Sequence, residues 1–154
     1  MKNRRSSKNI LATLALATSA VATNLSAQES LVGFWVAHDE GTPGVSSVVE
    51  LYVHDKQLIG RIVLTRNAEG QEIYPVCEKC SGRFRGSSIK GMTFISGLNP
   101  LNRDWVGGQV TDLRPGFTQG MMASCDISMV NGRAIVVGYF MSRAWGKSSV
   151  WIRQ

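Results

Sequence analysis

The sequence is short of histidine and cysteine, the side chains that most often ligate metals or move protons near neutral pH: it has two of the first and three of the second. No second Cys-x-x-Cys accompanies Cys77-Glu78-Lys79-Cys80, so a tetrahedral zinc site would have to recruit Cys125, His38 or His54. A Gly-rich phosphate loop, a nucleophile elbow and a helical metalloprotease motif are all missing, so no catalytic motif and no cofactor motif supports an enzyme. From Gln28 onward no long window keeps a helical period, which argues against a helical fold, and there is no internal repeat. Long apolar runs are missing too. The stretch from Ile10 to Ala22 is 13 residues, whereas a spanning helix needs about 20, so a permanent transmembrane anchor is disfavoured.

The first 27 residues also lack any acid. They carry Lys2, Arg4, Arg5 and Lys8 ahead of that apolar stretch, the layout of a secretory signal peptide, with cleavage expected after Ala27 and Ala22 as the alternative. No cysteine lies near either site to take a lipid, and Ser6-Ser7 after Arg4-Arg5 favours the general secretory route over twin-arginine export. Removing this segment leaves 13 basic against 11 acidic residues, so the formal +6 shrinks to about +2 and a nucleic-acid partner loses its main support. The expected address is a bacterial periplasm or the outside of the cell, where disulfides persist. The remaining chain, residues 28–154, is long enough for one domain that buries about two thirds of its chain surface.

Short runs of β-branched and aromatic residues between Gly, Asn, Asp and Pro predict eight strands, near 33 to 38, 46 to 54, 57 to 65, 92 to 98, 105 to 112, 118 to 130, 133 to 142 and 147 to 153. One long connection runs from Arg66 to about Gly91. The fold class is all-β, and an antiparallel up-and-down series of eight strands protects its edges by closing into a barrel. Two turns set registers. Asn131-Gly132 pairs Val130 with Arg133, Ile127 with Val136 and Cys125 with Gly138, which gives Cys125, Ile127, Met129, Ala134 and Val136 one inward face. Asp55-Lys56 puts Val49, Leu51 and Val53 on one face with Leu58, Ile62 and Leu64, and sets Glu50 across from Arg61 on the other, an ion pair worth about 0.2 to 1 kcal/mol.

Four segments, in order along the chain, resemble an uncharacterised bacterial family of small exported proteins, domain of unknown function 2147. They are Gly33-Phe34-Trp35; Leu58-Ile59-Gly60-Arg61-Ile62-Val63; Arg85-Gly86 with Ile89 and Gly91-Met92 before Ser96-Gly97-Leu98; and Gly138-Tyr139 leading to Trp145-Gly146-Lys147 and Trp151-Ile152-Arg153. The resemblance implies a lipocalin-like β-barrel and carries no assigned activity. The chain departs from the family pattern at Val137, Ser88, Lys90 and Leu113-Arg114-Pro115-Gly116. In a lipocalin-like barrel the Gly-x-Trp of the first strand closes one end and an Arg of the last strand packs over the indole. Trp35 and Arg153 stand in suitable places for that closure, which contributes about 0.5 to 2 kcal/mol, and the alternative is a core Trp35 with Arg153 in solvent.

Cys77 and Cys80 are favoured as a structural disulfide that pins the long connection, against a redox pair or half a metal site. Cys125 is read as an inert core thiol. His38 and His54 have no nucleophile motif beside them, and Asp39-Glu40 reads as a solvated turn. Lys79, Arg83, Arg85 and Lys90 crowd positive charge into that connection, with Phe84 among them, and are the rim candidates for an anionic contact. The functional expectation is a non-catalytic exported barrel that takes a small apolar or amphipathic ligand in its interior or mouth, or associates with the envelope. Met121, Met122, Met129 and Met141, adaptable fillers of apolar space, motivate it. The alternatives are a redox or metal function at Cys77 and Cys80, and a protein-interaction module built on the basic loop 79 to 90.

Overall fold

The computed structural model describes residues 31–154; the export segment read over residues 1–27 lies outside the described residues. Eleven strands succeed one another: β1 (Gly33–His38), β2 (Ser46–His54), β3 (Gln57–Arg66), β4 (Glu72–Ile73), β5 (Val76–Cys77), β6 (Ser87–Ser88), β7 (Thr93–Leu101), β8 (Asp104–Thr111), β9 (Met122–Val130), β10 (Arg133–Tyr139) and β11 (Lys147–Arg153). Eight of them, β1, β2, β3, β7, β8, β9, β10 and β11, pair antiparallel in that cyclic order, and β11 returns to β1, so the sheet closes on itself. The two remaining pairings are short: β4 extends beside the end of β3, and β5 with β6 forms a separate ribbon.

The eight expected strands correspond to these eight, with shifted ends. Residues 118–121 and 140–142, read as strand, are turns and bends instead. The Asn131-Gly132 register is as expected from Val130↔Arg133 to Cys125↔Gly138, because both turn residues sit at positive φ and match the strand twist. The Asp55-Lys56 register also holds, but only as far as Val49↔Ile62. A bulge between Val48 and Val49 then moves the pairing by one residue, so Thr65 turns inward in place of Leu64, where it faces Ser47 at 3.0 Å between hydroxyl oxygens. Glu50 and Arg61 meet outside at 2.6 Å.

Up-and-down order sorts the connections by length. Tight turns at Asp55-Lys56, Asn102-Arg103 and Asn131-Gly132 lie at one end, with Leu31 and the carboxyl-terminal residues. At the other end lie the longer segments 39–45, 67–92, 112–121 and 140–146.

The tight-turn end is plugged. Trp35 is fully buried and its Nε1 donates to the Leu31 carbonyl at 2.9 Å. Arg153 pairs with it across the sheet and sets its guanidinium carbon 4.4 Å from the ring centroid, while Nη1 donates to the Val32 carbonyl at 3.2 Å. Trp35 and Arg153 therefore stack together at this end of the barrel.

Side chains fill the barrel itself. Val49, Leu51, Leu58, Ile95, Leu98, Trp105, Ile127 and Trp151 belong to one buried cluster. Phe94 on β7 and Trp151 on β11, strands on opposite sides of the cylinder, bring their ring centroids to 6.2 Å, so the contact spans the lumen. Two glycines make room for this packing. A Cβ on Gly60 would crowd Ile95 and Leu51 at 3.1 and 3.2 Å, and one on Gly108 would sit 2.5 Å from Leu98.

Candidate functional site

With the lumen packed and one end plugged, the loop-bearing end is where the barrel presents shape and charge. Its organiser is the Cys77–Cys80 disulfide, formed with both cysteines buried in the core cluster. The turn it closes is held from two directions. The Gly86 amide donates to the Cys77 carbonyl at 2.8 Å. Gln119, buried in the β8–β9 connection, donates from Nε2 to the Val76 and Leu113 carbonyls at 3.2 and 3.3 Å and accepts from the Lys79 amide at 3.3 Å. The backbones approach so closely here that a Cβ on Gly120 would lie 2.5 Å from the Lys79 carbonyl oxygen, and Gly120 also takes a positive φ. The disulfide turn and the β8–β9 connection therefore form one cap over the barrel mouth.

Within that second connection Asp112 is the hub. Its carboxylate accepts from the Arg114 amide and guanidinium and from the Thr118 hydroxyl at 2.8 to 3.1 Å. Burial on its own would raise this carboxyl, but the hydrogen bonds from Arg114 and Thr118 outweigh it and hold it below the ordinary range.

The four basic rim candidates are not one cluster. Lys79 reaches away to donate to the Gly116 carbonyl at 2.8 Å and lies 5.8 Å over the Phe117 ring. Arg85, exposed, turns back toward the disulfide turn, with Nε 3.4 Å from the Cys80 carbonyl. Arg83 and Lys90 do come together. They line a surface cleft of about 270 Å³ with Phe84, Ser87, Ser88, Gly91 and Met92. Arg83 stacks on Phe84 at 4.9 Å and, among the described residues, has no carboxylate partner. Lys90 is bound to Glu72 at 2.6 Å and lies 5.4 Å over Tyr74, and the hydrogen bond to Glu72 raises its pKa. Ser87 donates to the Arg83 carbonyl and Ser88 accepts from the Lys90 amide, so the two hydroxyls shape the cleft floor. A second hollow of about 230 Å³ lies between Asp39 and Gly41 of the β1–β2 loop and residues 114–118.

The remaining candidates disperse. His38 ends β1 at the loop-bearing end and His54 ends β2 at the tight-turn end, so the barrel's length separates them. Asp39 accepts from the Gly41 amide at 2.9 Å, a local turn. Cys125 is fully buried, and burial with the neighbouring Asp126 pushes its thiol up to about 12. Among the described residues no three His, Cys, Asp or Glu side chains gather as metal ligands.

Two positions had no signal in the sequence. Gln119 lay within an expected strand. Asp126 points outward from β9 yet is buried, because a bulge in β8 lets the Gly107 amide donate to it at 2.9 Å while Arg143 closes over it at 3.4 Å.

Residues 33–153 match the model of a family described as an uncharacterized protein conserved in bacteria, DUF2147. The chain belongs to this family. The match runs from the first barrel strand to the last, so it covers the cap, the cleft and the plug together. No curated protein matches. Among solved structures the DUF2147 chain is similar to protein HP1028 from the human pathogen Helicobacter pylori, which is described as belonging to the lipocalin family. The TM-score is 0.65 at 20% sequence identity, covering 80% of this chain and 82% of that one. That likeness is one of fold, and it agrees with the eight-stranded closure.

Proposed function

We propose that this DUF2147 protein is an exported, non-catalytic binding protein that holds a small amphipathic anion in the cleft at Arg83 and Lys90. The observation that carries the reading is the composition of that cleft. It combines two cations with the apolar surfaces of Phe84 and Met92, while the lumen behind it is occupied by side chains. Its volume of about 270 Å³ lies near the lower end of ligand-pocket sizes, which suits a head group with part of a chain rather than a large apolar molecule. Arg83, without a carboxylate partner among the described residues, supplies an uncompensated charge, and Lys90 can exchange Glu72 for a ligand oxygen. Support for export comes from the layout of residues 1–27 and from a disulfide of the kind that persists in oxidising compartments.

Calorimetric titration with dodecyl phosphate tests it. Saturable binding that falls about tenfold or more in R83A/K90A, with unchanged thermal stability, is the expected result. Binding unaffected by that pair of substitutions rules the cleft out.

A further inference from the structure

The β10–β11 loop carries a feature that the cleft does not use. Phe140, Met141 and Trp145 are 65%, 98% and 88% exposed, three large apolar side chains within six residues that project into solvent. Met122, at the start of β9 and at the same barrel end, is 61% exposed. At the same barrel end Phe117 stands 89% exposed under Lys79.

The loop that presents these side chains is fixed at its base. Arg143, in the single 3₁₀ turn Arg143–Trp145, reaches the buried Asp126 carboxylate, the Ser142 hydroxyl accepts from the Ala144 amide, and a Cβ on Gly146 would strike Val137 at 2.8 Å. A loop held this firmly keeps its apolar tips outward, although each would lose exposed area if it folded back.

Charge selects the partner. From Phe140 to Lys147 the loop carries Arg143 and Lys147 and no acid, and the carboxylate nearest its base is Asp126, buried under Arg143. Lys147 lies two residues from Trp145 and has no ion-pair partner among the described residues. The acids of this barrel end, Asp39, Glu40, Glu69, Glu72, Glu78 and Asp112, lie on other connections. Aromatic and Met tips with Lys147 beside them fit a planar interface that accepts apolar side chains below a layer of phosphates.

We infer that the protein docks peripherally on an anionic phospholipid surface, inserting Phe140, Met141 and Trp145 while Lys147 meets the phosphates. This builds on the exported address proposed above but not on the cleft, which belongs to the β3–β7 connection.

The other three tryptophans, Trp35, Trp105 and Trp151, are buried, so Trp145 reports on docking without a label. The chain purified from the exporting cell is co-sedimented with vesicles of phosphatidylethanolamine and phosphatidylglycerol, or of phosphatidylcholine alone. The expected result is binding to the first that weakens with salt, a blue shift of emission, quenching by brominated acyl chains, and a partition coefficient lowered about tenfold or more in M141S/W145S. R83A/K90A retains vesicle binding, which separates this surface from the cleft. No sedimentation with the anionic vesicles, equal binding to phosphatidylcholine, or undiminished binding of M141S/W145S overturns the inference. So does concentration-dependent self-association that the double variant loses without any vesicle binding, because the tips would then be an interface between copies.

Discussion

Gly33 shows how a single residue determines a barrel end. Its φ is +130°, and a Cβ there would lie 2.9 Å from the Arg153 Nη1 that covers Trp35. An alanine must therefore adopt a backbone region that side chains disfavour and displace the guanidinium from the indole. Strained φ of this kind costs about 1 to 3 kcal/mol, and the stacking it disturbs is worth about 0.5 to 2. Gly33→Ala is expected to lose about 2 to 4 kcal/mol in denaturant unfolding, and a loss near zero would show that the plug does not bear on stability. This pairing was suggested by the resemblance of Gly33-Phe34-Trp35 and Arg153 to a lipocalin-like closure, not by spacing or periodicity. Asp126 and Gln119 left no signature. A carboxylate on an outward strand position and an amide beside a glycine look like solvated side chains until a bulge and a facing turn enclose them.

At the scale of elements, strands and hairpins were legible from alternation and turn chemistry, whereas the bulges were not. Counting positions about Asp55-Lys56 assumes a constant pairing, and the extra residue on β3 beyond Val49↔Ile62 breaks it, which is why Leu64 leaves the inward face. The strand expected to start at 118 fails for a related reason. Phe117 to Met122 has strand-like composition, but Gly120 at φ +84° reverses the chain and Gln119 turns inward to hold the disulfide turn. The disulfide and that turn act as one unit. Closing so short a loop constrains the unfolded chain by about 2 kcal/mol, and the two sulfurs also fill core space. C77A/C80A is expected to unfold about 2 to 4 kcal/mol more easily. Hydrogen exchange should quicken first at the Gly86 and Lys79 amides, which the cap protects. Exchange that rises evenly over all strands would show that the cap is not a local unit. Thiol titration of the parent protein should find no reactive group at pH 8 and one after denaturation, since Cys125 is buried with its thiol pushed up to about 12.

For the molecule as a whole, eight strands of these lengths were legible, and with them closure, but not whether the cylinder is hollow. Filling depends on which inward side chains meet across it, and the Phe94–Trp151 contact joins residues 57 positions apart on opposite walls. That packing moves any binding to the loop end, whose order depends on ionised groups. Asp112 is held below its ordinary pKa, so its hydrogen bonds contribute stability above the unfolded-state value of about 4 and lose it as pH falls through the lower folded value. Arg114 and Lys90 are raised, mainly by the hydrogen bonds to Asp112 and Glu72, and their contribution persists until strongly alkaline pH. Stability is therefore expected to be flat across neutral pH and to fall below about pH 4. In D112N the carboxamide keeps the loop's shape but cannot hold Arg114 as an ion pair. The variant should lose about 1 to 2 kcal/mol at pH 7 and show a shallower acid limb, so that it and the parent converge at low pH. Parallel curves for the two proteins from pH 7 to pH 2 would mean that other carboxylates set the acid limb, and that the cap over the barrel mouth is held by Gln119 and the disulfide without help from this charge.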